Sequence, residues 1–346
     1  MKYYSHEDFV REQTTPMAPV VTADLSGKTV IVTGANTGIG LEASKHFARM
    51  NPGRLVIVCR NETKGQVAAT EIKNETNFDC VELWIMDQGD FSSIKAFADR
   101  AEKELSRIDY LVENAAIYNA GKYILTTNGW EQELQVNHLG PTLLSFLLLP
   151  KMITTAKTHN THPRLVSVSS NVHYWASIEK ELIDAPNPLE ICSSKEYCTP
   201  SVMEKRYQST KLLNLLAVRA LHARLPQTFP TITIVAVNPG LCDSPLYRSI
   251  PEESKNYWAD RMKLAYTSEE GSRQVIYGAL GGADTEEEEQ SMRGGYISLS
   301  ELREVSDWIL SEDGSRAEDK FWNETVKVLG EVDDRVHKVV SGYLRG

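Results

Sequence analysis

Hydrophobic and polar positions along this chain follow two alternating patterns. Short apolar runs rich in β-branched residues predict strands over 28–34, 54–59, 80–86, 109–115, 164–170, 231–237 and 295–299. Longer stretches between them, with apolar residues three and four apart, predict helices over 37–50, 64–74, 91–106, 129–153 and 203–225. Strands joined through helices pair in parallel, because each crossover carries the chain back to the same end of the sheet. The expected fold is α/β: a single doubly wound parallel sheet with helices on both faces. Ligands in such sheets bind beyond the carboxyl ends of the strands, so those ends carry the functional question.

The flanks extend this picture. Residues 1–26 read as a polar lead of mixed charge, 27–300 as the sheet domain and 301–346 as a C-terminal helical extension. In the extension Phe321, Trp322, Val326, Leu329, Val332, Val336, Val339 and Val340 recur at helical spacing. The apolar run 143–149 is too short to span a bilayer and predicts a buried helix. Neither a signal peptide nor a membrane anchor is expected, and the location is read as cytoplasmic.

Composition narrows the chemistry. The 37 Lys and Arg stand against 47 Asp and Glu, a net charge of −10 that argues against a nucleic-acid partner. Five cysteines are scattered with no C-x-x-C pair, which predicts neither a disulfide framework nor a zinc site. The acidic run 286–289 reads as a solvated loop without metal.

The first strand runs into Gly34-Ala35-Asn36-Thr37-Gly38-Ile39-Gly40 and then a helix. Glycines there let the backbone turn sharply and bring a pyrophosphate to the helix N-terminus, where unpaired N–H groups and the macrodipole favour anions. Strand, three glycines and helix in that order point to a Rossmann-type dinucleotide site built from Gly34, Asn36, Thr37, Gly38, Ile39 and Gly40. The spacing is G-x-x-x-G-x-G rather than G-x-G-x-x-G. The second strand ends at Arg60 with no carboxylate for a ribose 2′-hydroxyl. Arginine can instead pair with a 2′-phosphate through its planar fork, so NADP(H) is favoured over NAD(H). At the end of the third strand, Asp87, followed by Gln88, is placed to bond an adenine amino group.

Proton transfer to or from an alcohol needs an acid/base group with its pKa brought toward neutrality, and a lysine near a tyrosine favours the phenolate. Tyr-x-x-x-Lys puts the two side chains on one helix face, but the pattern occurs twice, at Tyr118…Lys122 and Tyr207…Lys211. Asn119 and Gly121 mark the first as a loop, whereas the second leads into a strongly apolar helix. Tyr207 is therefore chosen. The strand over 164–170 ends in Ser169 and Ser170, hydroxyls able to orient a substrate oxygen.

These segments, with Asn114-Ala-Ala116, Val168-Ser-Ser170 and Asn238-Pro-Gly240 in the same order, resemble the short-chain dehydrogenases/reductases. More narrowly the chain is similar to the retinol-dehydrogenase-like and WW-domain-oxidoreductase-like branch. The carriers are Cys59-Arg-Asn-Glu-Thr-Lys-Gly65, Val136-Asn-His-Leu-Gly140, and Thr267-Ser-Glu-Glu-Gly271 with Gly295-Tyr-Ile297 downstream. The resemblance implies Tyr207 as general acid/base, with Lys211 bonding the nicotinamide ribose and lowering the Tyr207 pKa. It implies Ser170 as holder of the substrate oxygen and Asn137 as holder of a water in a proton relay. Asn114, with Ala115 and Ala116, would lie beside the cofactor. Pro239, Gly240 and Leu241 would line the nicotinamide, and Ser244 would face its carboxamide. The same resemblance implies a possible homodimer through the helices 129–153 and 203–225.

Two departures mark this chain. Glu113-Asn-Ala-Ala116 replaces the usual Asn-Asn-Ala-Gly, and the interval from Ser170 to Tyr207 is long for the family. The inserted residues 172–204 are expected to shape the substrate pocket. Residues 243–267, with Leu246, Tyr247, Tyr257, Trp258, Met262 and Tyr266, suit a lid over a hydrophobic small-molecule substrate. The combined expectation is an NADP(H)-dependent oxidoreductase interconverting an alcohol and a ketone or aldehyde. The alternative is a non-catalytic NADP(H)-sensing protein on the same fold.

Overall fold

The computed structural model describes residues 4–250, 252, 255–283 and 285–345. Eight strands form one sheet: β1 (Thr29–Thr33), β2 (Arg54–Cys59), β3 (Val81–Ile85), β4 (Tyr110–Glu113), β5 (Arg164–Val168), β6 (Thr233–Asn238), β7 (Tyr296–Ser298) and β8 (Glu301–Arg303). Their order is β3-β2-β1-β4-β5-β6-β7-β8, with only β8 antiparallel to its neighbour. The β8 edge strand is exposed at all three residues. It buries no face and so leaves no apolar pattern to read.

Alternation along the strands divides the core in two. Val30, Val32, Val235 and Val237 pack with Phe47, Ile72 and Ile276 from the helices Gly38–Arg49, Glu62–Thr76 and Ser268–Leu280. Ile31, Leu111 and Ile234 face the other way, against Phe97, Leu143 and Leu212 from Phe91–Glu104, Gly140–His159 and Arg206–Arg224. A parallel sheet covered on both faces is buried throughout, which is why its strands read as continuous apolar runs.

The Gly140–His159 helix begins with a π-helical turn, Gln135–Leu139, and runs through Pro150 to His159, beyond the expected end. Its neighbours bury it, so the backbone bond lost at proline is tolerated. Residues 132–159 form the one helix, among the described residues, long and apolar enough to cross a membrane, with mean hydropathy 1.3. Two thirds of that window lies inside the core.

Three segments depart from their sequence reading. The polar lead contains a helix, His6–Gln13, with a Ser5 capping box and buried Tyr4, Phe9 and Met17. The acidic run belongs to the helix Glu286–Met292, capped by Thr285, and is not a solvated loop. Glu289 in it is buried because Arg164 at the start of β5 is buried too and donates to its carboxylate. An unpaired guanidinium there would be costly. The insertion 172–204 buries Leu182, Ile183, Leu189 and Cys192 in the core and reaches the C-terminal extension through Asp184–Arg316.

The extension forms the helices Glu312–Val332 and Arg335–Tyr343. The first lies along the tyrosine helix, Arg206–Arg224. Arg219 bonds Glu318 at 2.7 Å, Arg224 bonds Asp319 at 2.8 Å, and Trp322 meets Phe146 of the long helix with centroids 5.5 Å apart. The same chain thus covers surfaces of both helices that the resemblance assigned to a dimer.

Candidate active site

One cleft of about 650 Å³ opens along the carboxyl ends of β1, β2, β4, β5 and β6. That volume suits a cofactor and small-molecule site. At its base Gly34 and Gly38 have φ of +66° and +60°, values that only glycine adopts readily. A Cβ at Gly40 would come within 2.4 Å of Asn114 Nδ2 and 2.5 Å of the Gly34 carbonyl oxygen. The glycines therefore bring the helix Gly38–Arg49 close to the turn. Thr37 caps that helix without a side-chain hydrogen bond, which leaves the first N–H groups available to an anion.

Asn114 and Thr33 hold the turn. Asn114 Nδ2 donates to the Thr33 carbonyl at 2.9 Å, and the Asn114 and Ala115 N–H groups donate to Thr33 Oγ1 at 3.0 and 3.1 Å. Asn36, Thr37, Ile39, Asp87, Gln88, Asn114, Ala115 and Ala116 all line the cleft. Asp87 uses one carboxylate oxygen to accept from Gly89 N at 2.8 Å. Arg60 lines the β2 side, and Lys64, in the first turn of the helix Glu62–Thr76, joins it. Lys64 was missed by sequence reading, because Arg60 precedes the helix and no helical spacing links the two.

Gly40 and Leu241 lie off the cleft wall. Gly40 is beneath the turn rather than on the cleft wall, and the Leu241 side chain packs with Tyr4 and Phe9 instead. Pro239, Gly240 and Ser244 do line the cleft.

Ser170, Tyr207 and Lys211 line it as well. Lys211 Nζ lies 5.5 Å from the centre of the Tyr207 ring and donates to the Val168 carbonyl at 2.6 Å. Ser169 is turned inward, its hydroxyl donating to the Lys211 carbonyl at 3.1 Å, whereas Ser170 caps the turn Asn171–Trp175. His173 Nδ1 bonds the Ser170 carbonyl at 2.8 Å and fixes that turn. Burial lowers the Lys211 ammonium to about 8 and raises the Tyr207 phenol above its ordinary value. Desolvation is the main cause of the Tyr207 rise, and Tyr247, Glu133 and Cys242 nearby add to it.

Asn137 does not reach the cleft wall. It sits on the π turn, where its amide bonds both backbone groups of Ile117, at 2.8 and 2.9 Å, and Thr210 Oγ1 at 3.2 Å. These bonds join the strip after β4 to the tyrosine helix.

The lid region also supplies a wall, with Ser244, Pro245, Leu246, Tyr247 and Arg248 on the cleft. Tyr247 stacks obliquely with Trp258 at 4.8 Å, and Tyr118 touches both as well as Tyr207. The Tyr257 side chain lies outside the described residues. No residue of the insertion 172–204 lines the cleft, because that segment folds toward the C-terminal extension. That placement does not match its expected role in shaping the pocket.

Comparison with known proteins agrees with this geometry. The short chain dehydrogenase family matches residues 28–178. Short chain dehydrogenase/reductase dmxR8 of Cryptosporiopsis sp. is 32% identical over 324 residues, covering 93% of this chain and 96% of that protein. Retinol dehydrogenase 12 of Mus musculus is 31% identical over 312 residues, covering 88% and 87%. A short chain dehydrogenase from Burkholderia cenocepacia in complex with NADP shares the fold, with TM-score 0.57 and 19% identity over 80% of this chain and 97% of that one. With a glycine turn, a Tyr/Lys pair and relatives alike over nearly its whole length, the chain belongs to the short-chain dehydrogenase/reductase family of oxidoreductases, in its retinol-dehydrogenase-like branch.

Proposed function

We propose that this protein is an NADP(H)-dependent enzyme interconverting an alcohol and a ketone or aldehyde on an apolar small molecule. The observation that carries this reading is the convergence of the glycine turn, Ser170, Tyr207 and Lys211 on one cleft. When bound, the cofactor supplies hydride to the carbonyl carbon or takes it from the alcohol. Tyr207 gives its phenolic proton to the substrate oxygen in reduction and removes it in oxidation. Ser170 donates to that oxygen and orients it. Lys211, at about 8, is charged at neutral pH and stabilises the phenolate as the proton leaves. Asn137 is a positioning residue that holds Ile117 and the tyrosine helix together.

The NADP(H) preference rests on Arg60 and Lys64 on the β2 side of the cleft. An apolar substrate fits the Leu246, Tyr247 and Ile117 wall. A monomer fits the C-terminal helices lying on the tyrosine helix and the long helix. A cytoplasmic location fits five unpaired cysteines.

A steady-state screen of NADPH and NADH against apolar ketones, aldehydes and alcohols tests the reading, with Tyr207→Phe as control. Wild type should turn over at least one panel member, and the variant should lose about 10²- to 10⁴-fold in rate while still quenching on NADPH binding. Wild type and variant equally inert, yet both binding NADPH, would replace the reading with non-catalytic cofactor sensing.

A further inference from the structure

The N-terminal arm does not enter the cleft, yet it is fastened to the two loops that frame it. After β6 the chain passes Pro239, Gly240 and Cys242 along the cleft wall, leaves through the lid, and returns at Leu264–Tyr266. The neck of this excursion is narrow. Tyr266 N donates to the Leu241 carbonyl at 2.9 Å and Asp243 N donates to the Tyr266 carbonyl at 2.8 Å.

Gln13, the last residue of the helix His6–Gln13, plugs that neck and is itself buried. Its Oε1 accepts from Leu241 N at 2.9 Å, and its Nε2 donates to the Leu241 carbonyl at 3.0 Å and the Leu264 carbonyl at 3.1 Å. One amide therefore ties the outgoing strand of the lid to the returning one. Gly240, with φ +76°, makes room for it, since a Cβ there would lie 2.8 Å from Gln13 Oε1. Tyr266 completes the seam by donating from its hydroxyl to the Glu12 and Thr15 carbonyls.

A second fastening lies beside Ser170. Asn171 Nδ2 donates to Tyr4 Oη at 3.1 Å, Trp175 Nε1 donates to the Tyr4 carbonyl at 2.9 Å, and Tyr4 stacks on Tyr174 at 4.6 Å. The arm thus spans from the serine loop to the lid neck.

We infer that the arm is a clamp for the lid, and that Gln13 is a positioning residue that sets substrate binding. This rests on the reductase reading of the cleft. A side chain bonded only to loop backbone on both sides of the neck restricts how far the two strands can part. The lid residues Ser244–Arg248, on the cleft wall, hang from that neck. Without the clamp the wall spends part of its time displaced, and substrate binding is reduced by the fraction lost.

The test uses the full chain carrying Gln13→Ala, with Gln13→Glu as a second variant. Glutamate keeps the size and the acceptor for Leu241 N but turns an oxygen toward two carbonyls. Two readouts are taken: hydrogen–deuterium exchange of segment 241–266, and KM and kcat for the best carbonyl of the panel. Both variants should speed exchange across 241–266 by about tenfold, the scale of a lost hydrogen bond, with β6 amides unchanged. KM should rise about tenfold with kcat nearly constant, the signature of lost uniform binding. Exchange confined to wild-type rates, or a KM within twofold of wild type, overturns the clamp. Equal acceleration in β6 and the lid also overturns it, because the contact would then be a general stability element. If wild type turns over nothing while the variants still open 241–266 selectively, the clamp stands and the reductase reading falls.

Discussion

The ring of Tyr118 stands edge-on against that of Tyr207, their centroids 5.7 Å apart and their planes at 77°. From its loop after β4, Tyr118 also reaches Tyr247 and Trp258 of the lid, at 6.1 and 6.2 Å. It belongs to the Tyr-x-x-x-Lys pair dismissed in the sequence as a loop, and the structure makes it the link between Tyr207 and the lid.

Truncating that link should loosen the apolar wall without removing the Tyr207 hydroxyl. Tyr118→Ala is expected to raise KM for an apolar carbonyl about fivefold, the scale of an aromatic pair. Tyr118→Phe keeps the ring and should stay within twofold of wild type. Steady-state kinetics on both variants checks this, and equal KM values for Ala and Phe would contradict it.

Arg60 and Lys64 should set coenzyme choice by charge. Arg60→Ala is expected to lower kcat/KM for NADPH by about tenfold to a hundredfold while leaving NADH within threefold, as expected for a lost charge-assisted contact. The double substitution with Lys64→Ala should bring the two cofactors close to parity. A ratio unmoved by either change would remove these residues from the 2′-phosphate site.

Stability should depend on pH through two buried carboxyls. Burial raises Glu113, which accepts from Ser145 Oγ at 2.7 Å, and Glu133, each to about 8. The folded protein keeps protons that the unfolded chain has released above about 4.5, so these groups lose stability as pH rises toward 8. The buried His138 and His173, lowered to about 4, act the opposite way only below about 6.5. Lys211 acts the opposite way only above about 8. Between pH 6.5 and 8 the melting temperature should therefore fall, with unfolding free energy dropping by no more than roughly 1.4 kcal/mol per pH unit for each carboxyl. Glu113→Gln should flatten the slope. A melting temperature that is level or rising across that window in wild type would contradict the assignment.

The C-terminal helices should keep the chain monomeric. Light scattering behind size exclusion is expected to give one 38.8 kDa species. Truncation before Glu312 uncovers the apolar surface under Phe321, Trp322 and Leu329 and should give self-association or aggregation. A stable dimer of the full chain would show that another face is used.

Much of the fold was legible in the chain, because a sheet buried on both faces leaves uninterrupted β-branched runs and its helices leave a distinct period. The phosphate turn was legible for a related reason: Gly34 and Gly38 answer a backbone requirement, positive φ, that any chain making this turn must meet. Tyr207 and Lys211 were separated from their look-alike by the apolar helix that follows them. All of these signals are local.

What the tertiary structure alone decided is long-range. Gln13 and Leu241 are 228 positions apart, and no period or motif connects an amide at the end of a polar lead to a turn after β6. Asn137 has the residue type suited to a relay, but its bonds to Ile117 and Thr210, residues of other segments, could be seen only in the folded chain. Tyr118 and Tyr207 share an aromatic contact only because a loop after β4 folds over the start of the tyrosine helix. Glu289 reads as one of four like charges until Arg164, buried at the start of β5, requires a counterion. Local sequence carries backbone geometry and the period of burial; which side chains then meet depends on packing between segments distant in the chain.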